Sequence, residues 1–235
     1  MQKYLEDILR TFLILVLIFV FSFGDLDIQK TTPDPVPFSR VELNGDWSGT
    51  DEFATYTLNN VVVVFQNSMP QDERMVWASI FDEAIELLPQ HIVDLLKTTT
   101  ITFTQVGVCD IRVLGCYDSK TELIGMRTDT LASFNRIDVL AVLIHEIGHA
   151  IDFAMDNNAR LFADLHEADT HRPTSYAGTN SAEDFAESFF IYVMYPSYLR
   201  NCCPERYTFM MDKVFNGIEY SEDFPLSPFS RSRFR

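Results

Sequence analysis

A chain of 235 residues, 47% hydrophobic and 13% aromatic with twenty phenylalanines, can bury a sizeable core and fits one domain with appendages. That composition excludes disorder for most of its length. The formal net charge of −16 gives an acidic surface that repels phosphate backbones, so general nucleic-acid binding is disfavoured while basic substrates or partners are compatible.

From Phe12 to Phe23 the chain is apolar apart from Ser22. A block of that length falls short of the ~20 residues a bilayer span needs and suits the h-region of a secretory signal. Ser22 and Gly24 are small residues placed for cleavage after Gly24. The expectation is a signal peptide over residues 1–24 and a secreted product. The rival is an uncleaved signal anchor, which would tether the protein to a membrane. Residues 25–45, with prolines at alternate positions in "TTPDPVPFSR", read as an extended linker. The folded domain is expected over 46–220 and a loosely ordered tail over 221–235.

Within the domain, Tyr56 to Phe65 reads as one β-run rich in β-branched residues. Pro70 precedes an amphipathic helix carrying Met75, Val76, Ile80, Ala84, Leu87 and Leu88, and Pro89 ends it before a shorter helix, "QHIVDLL". "TTTITFTQVGV" alternates as a strand. "DIRVLGCYD" and "KTELIGMR" read as a strand pair with Asp118 and Ser119 in the turn. A long helix follows over 136–156, with Asp138 favourably placed in its first turn. Residues 157–181 read as a polar loop in which "ARLFADLHEAD" can form a short helix. Asn180 or Ser181 caps the next helix, "AEDFAESFFIYVMY", which stops before Pro196. A last helix runs from Pro204 to Gly217. This order predicts an α+β fold: a small mixed or antiparallel sheet packed on helices, with a mainly helical C-terminal half.

Four cysteines allow three pairings. A Cys109–Cys116 bridge would clip a short loop and contribute roughly 2–3 kcal/mol. The adjacent Cys202 and Cys203 make a strained pair, and bridges from Cys109 or Cys116 to either of them stay open. The spacings do not match a structural zinc site.

The chemistry concentrates in "LAVLIHEIGHAIDFAMD". His145 and His149 lie at i and i+4 and project from one helix face. Two such imidazoles can hold one zinc ion, and the intervening Glu146 reaches a water on the metal and takes its proton. The surrounding Val139, Val142, Leu143, Ile147, Ala150 and Ile151 make the helix a buried one, in which three polar side chains are costly without partners or a metal. Gly148 costs ~1 kcal/mol in a helix interior, which suggests that something packs closely there. A third ligand is needed. A metzincin-type histidine is absent, since Met155 stands six residues after His149. The candidates are Asp164, His166, Glu167, Asp169, His171, Glu183 and Glu187. The last two lie four apart at the start of an amphipathic helix, where one can ligate and the other can support a ligand histidine.

"HEIGHAID" followed by "YAGTNSAEDFAESF" resembles the catalytic domain of the anthrax lethal factor family of zinc endopeptidases, in particular its Pro-Pro endopeptidase-like branch, over roughly residues 58–216. The resemblance implies a gluzincin-like fold and one Zn²⁺ held by His145, His149 and Glu183. It also implies Glu146 as general base, Glu187 as support for a ligand, and Tyr176, seven residues before Glu183, as donor to the oxyanion. "LGCYDSKTELI" is similar to the family's strand pair whose edge lines the substrate cleft, which implies Gly115 and Tyr117 as substrate-binding residues. A monomeric secreted endopeptidase acting on a protein or peptide is thus expected. The alternative is a catalytically inactive binding module that keeps the fold and the metal.

Overall fold

The computed structural model describes residues 43–50, 53–104, 113–226 and 234. The expected signal segment and nearly all of the linker lie outside the described residues, as does Cys109. No helix among the described residues is long and apolar enough to cross a membrane.

The fold is α+β, with a six-stranded mixed sheet and eight helices among the described residues. The strands are β1 (Asp46–Gly49), β2 (Phe53–Leu58), β3 (Val61–Gln66), β4 (Thr100–Thr104), β5 (Gly115–Asp118) and β6 (Leu123–Arg127), in the spatial order β1-β2-β3-β4-β6-β5. β3, β4 and β6 are mutually parallel neighbours, and antiparallel strands flank them on both sides. Helices α1 (Gln71–Glu86) and α2 (Gln90–Leu95) make the crossover from β3 to β4. Short α3 (Thr128–Leu131) follows β6.

The single β-run expected over 56–65 is in fact a hairpin. Asn59 and Asn60 take φ of 52° and 66°, the two left-handed positions of a tight hairpin turn, which asparagine tolerates better than most residues. The fold-back puts Ala54, Tyr56, Leu58, Val61, Val63 and Phe65 on one buried face. Phe65, Phe103 and Trp77 stack in sequence on that face, with centroids 5.7 and 5.4 Å apart.

The C-terminal half is built on α4 (Arg136–Ala154) and α6 (Ser181–Met194). Asn135 and Asn180 cap them, each side chain accepting from the backbone N–H three residues on. Gly148 is where the two helices approach: a Cβ there would lie 2.9 Å from Ala186 Cα. The close packing suggested by a glycine in mid-helix is therefore present.

Three further expectations are adjusted. The short helix allowed within 157–181 is present and longer than expected, α5 (Asp156–Ala168), so the polar loop begins only after it. Phe162 is the buried anchor of α5, edge-on to Phe185 at 5.2 Å. α6 does stop before Pro196, and that proline then opens a helix not expected from the sequence, α7 (Pro196–Cys202), at the first-turn position where proline lacks no needed N–H. The final helix is split into α8 (Pro204–Phe209) and a π-helical turn over Met210–Val214. Cys116 is disulfide-bonded, whereas Cys202 and Cys203 are free thiols, so neither of those two bridges to it.

Candidate metal centre

α4 presents His145 and His149 one turn apart, with ring centroids 4.8 Å apart and planes nearly perpendicular. α6 faces them with Glu183. Its Oε2 lies 3.3 Å from His145 Nε2 and 3.2 Å from His149 Nε2. That oxygen is buried and makes no well-angled hydrogen bond to either ring. Among the described residues, these three are the group whose ligand atoms converge closely enough to hold a metal ion.

The surroundings orient these side chains. His145 Nδ1 sits 2.8 Å from Glu187 Oε1, and Glu187 is fully buried one turn beyond Glu183. Assigning the Nδ1 proton to that contact leaves Nε2 facing Glu183. Glu187 Oε2 accepts from Thr174 Oγ1 at 2.6 Å, and Thr174 Oγ1 in turn accepts from Ala177 N at 3.1 Å. Thr174 thereby fastens the turn over Tyr176–Gly178 to the helix that supplies the carboxylates. Tyr176 is half-buried with its ring 5.8 Å from that of His145.

Burial of the His145 ring opposes its charge, but Glu183 and Glu187 outweigh that and push its pKa up to about 9 in the metal-free chain. Burial would raise Glu183, yet the two imidazoles hold it well below the usual carboxylate range. Tyr176 is pushed above the ordinary phenol value by burial, then by Glu183 and Glu146. It stays a neutral hydrogen-bond donor at any physiological pH.

Glu146 is buried on α4 beside the edge strand β5. A Cβ on Gly115 would lie 2.8 Å from Glu146 Cγ and 2.9 Å from its Oε1, so the bare glycine makes room for this side chain. Tyr117, on the same face of β5, stands 6.1 Å ring to ring from the exposed Phe153. No protein-family model matches the chain, and no curated protein matches its sequence.

The structure therefore brings together His145, Glu146, His149, Tyr176, Glu183 and Glu187, with Gly115 against Glu146 and Tyr117 further along β5. The other candidate ligands are elsewhere. His166 Nδ1 pairs with Asp184 at 2.8 Å. His171 and Arg206 share Asp169. Asp164 and Glu167 are exposed on α5. Sequence reasoning missed Thr174 and the cluster around Asp184. A threonine two residues before Tyr176 carries no motif, and only the fold brings it to Glu187.

Proposed function

We propose that the chain is a zinc-dependent endopeptidase of the lethal factor type, with a gluzincin-like site in which His145, His149 and Glu183 hold one Zn²⁺. The observation that carries this reading is the spacing of the donor atoms. Two ligands at ~2.0–2.1 Å from a tetrahedral ion stand ~3.3 Å apart, and Glu183 Oε2 lies 3.3 and 3.2 Å from the two imidazole nitrogens. Two imidazoles and one carboxylate are also the donor set of catalytic rather than structural zinc sites.

When bound, the ion supplies Lewis-acid activation of water and polarisation of the substrate carbonyl. The chain's residues supply the rest. Glu146 takes the proton of the attacking water and delivers it to the departing amine, as a positioned general base and then acid. Tyr176, kept neutral, donates to the oxyanion as charge develops there. Glu187, pinned by Thr174, sits 2.8 Å from the Nδ1 of His145 and favours the proton on that nitrogen, which leaves Nε2 for the ligand position. An extended peptide added along the outer edge of β5 would pass Gly115 and Tyr117 beside Glu146, using main-chain hydrogen bonds for register.

The test is metal analysis with cleavage of a peptide library by wild type and Glu146→Gln. One zinc per chain in both proteins is expected, with a loss of about 10²–10⁴-fold in kcat for the variant. Undiminished cleavage by Glu146→Gln would end the mechanism. Zinc binding without cleavage by the wild type would identify a binding module instead.

A further inference from the structure

The zinc reading leaves aside one cluster of nucleophilic side chains. Cys202 ends α7, and Cys203 forms the junction with α8. Cys202 is half-buried and Cys203 is 1% exposed. Both are free thiols, and their sulfurs lie 2.7 Å apart. Neither belongs to a group of three donors able to hold a metal among the described residues, so a structural metal does not explain them.

We propose that Cys202 and Cys203 are a redox-active dithiol, oxidised by low-molecular-weight disulfides to a vicinal disulfide. The sulfurs need to close by only about 0.7 Å to reach the 2.03–2.05 Å of a bond. Cys202 is the attacking group. It is the more accessible of the two, and its thiol is held below the ordinary value first by the neighbouring Cys203 sulfur and also by the charge of Arg206.

The step balances as two exchanges. Cys202 thiolate attacks one sulfur of R–S–S–R, forming a mixed disulfide and releasing one RS⁻. Cys203 then loses its proton to that thiolate or to solvent and attacks Cys202 Sγ, expelling the second RS⁻. In sum, two protein thiols are oxidised and one R–S–S–R is reduced to two RSH. The 2.7 Å approach of the two sulfurs places Cys203 beside the mixed disulfide for the second exchange.

Consecutive Cα atoms stand ~3.80 Å apart, below the 4.4–6.8 Å usual for disulfides. The product is therefore strained and returns readily to the dithiol, as labile bridges do. The pair also borders the site. Tyr198, against Cys202, donates its hydroxyl to Pro173 O at 2.8 Å, next to Thr174.

The experiment needs no catalysis. Full-length protein, reduced mildly enough to keep the Cys116 bridge, is treated with glutathione disulfide, alkylated, digested and mapped by mass spectrometry. Wild type is expected to lose two hydrogens within residues 201–206, to release two glutathione thiols per chain, and to recover both free thiols on mild reduction. Cys203→Ser is expected to stop at a stable glutathione adduct on Cys202, with one thiol released, which shows that Cys202 is reachable in a folded protein. A persistent adduct in the wild type would overturn the proposal. So would covalent dimers, or an inert wild type beside a reactive Cys203→Ser.

Discussion

Helix α6 carries two buried acidic clusters on adjacent faces, and they are built differently. Asp184 is met by Arg206 through Nε at 2.8 Å and Nη2 at 2.7 Å, by Arg172 Nε at 3.4 Å and by His166 at 2.8 Å. Arg206 is itself fully buried and reaches on to Asp169. That cluster contains its own cations. Glu183, one residue earlier, meets two imidazoles and no guanidinium or ammonium among the described residues. A carboxylate held by guanidinium groups, which never give up their protons, holds the fold together, while one facing imidazoles, which can exchange their protons for a metal, has the chemistry of a cation site.

Four predictions test that contrast, in decreasing order of effect. Glu183→Gln should weaken zinc binding by more than the about 100-fold that losing an outer partner costs, measured by competition with a chromogenic chelator, while the metal-free protein loses no more than the stability, on the order of 3 kcal/mol, that the His145 contacts supply. Wild-type affinity in this variant would place the metal elsewhere.

Arg206→Met should do the reverse. It leaves Asp184 buried without its main cation, at a cost of about 3–5 kcal/mol in denaturant unfolding, while the protein that remains folded still binds one zinc. Zinc loss in a stable Arg206→Met protein would show that the two clusters are one unit.

The pH dependence of the metal-free chain comes next. His145 is raised from 6.5 to about 9 in the folded state, so its stabilising contribution is complete below about pH 6.5 and disappears as pH rises through 9. Its size is on the order of 3 kcal/mol, and the lowered Glu183 reports the same contacts and is not added. Urea titrations across that window should show the decline without metal and lose it under saturating zinc. A flat metal-free profile would mean that His145 is neutral there already.

The smallest effect belongs to Thr174→Val, which removes the hydroxyl between Glu187 and Ala177. Zinc affinity should fall about 10-fold, at the low end for outer-sphere partners, and Thr174→Ser should restore it. Failure of serine to rescue would make the effect one of packing.

The parts of the site set by helical spacing were legible in the sequence. His145 and His149 at i and i+4 require only a helix, and Gly148 announced a close neighbour that proved to be Ala186. Glu183 and Glu187 stood out from five nearer candidates by their four-residue spacing on an amphipathic helix, but only the lethal-factor resemblance pointed to Glu183 as the ligand of the two. What escaped was decided at longer range or by a single backbone choice. The Asn59–Asn60 turn hid inside a run of good strand formers, because β propensity does not register two left-handed residues. α5 looked polar because much of it faces solvent, and Phe162 holds it only once Phe185 is across from it. Pro204 was legible as a helix start, whereas Pro196 was legible only as the stop of α6, and the structure also uses it as the start of α7. Arg206 was an ordinary helix residue until the fold placed it against Asp184.

The most direct measurement is X-ray absorption at the zinc edge on protein loaded with one equivalent. The account predicts a low-coordinate first shell of nitrogen and oxygen at ~2.0–2.1 Å with imidazole outer-shell features. A sulfur shell at ~2.3 Å, which would move the ion to Cys202 and Cys203, or a shell without imidazole would contradict it.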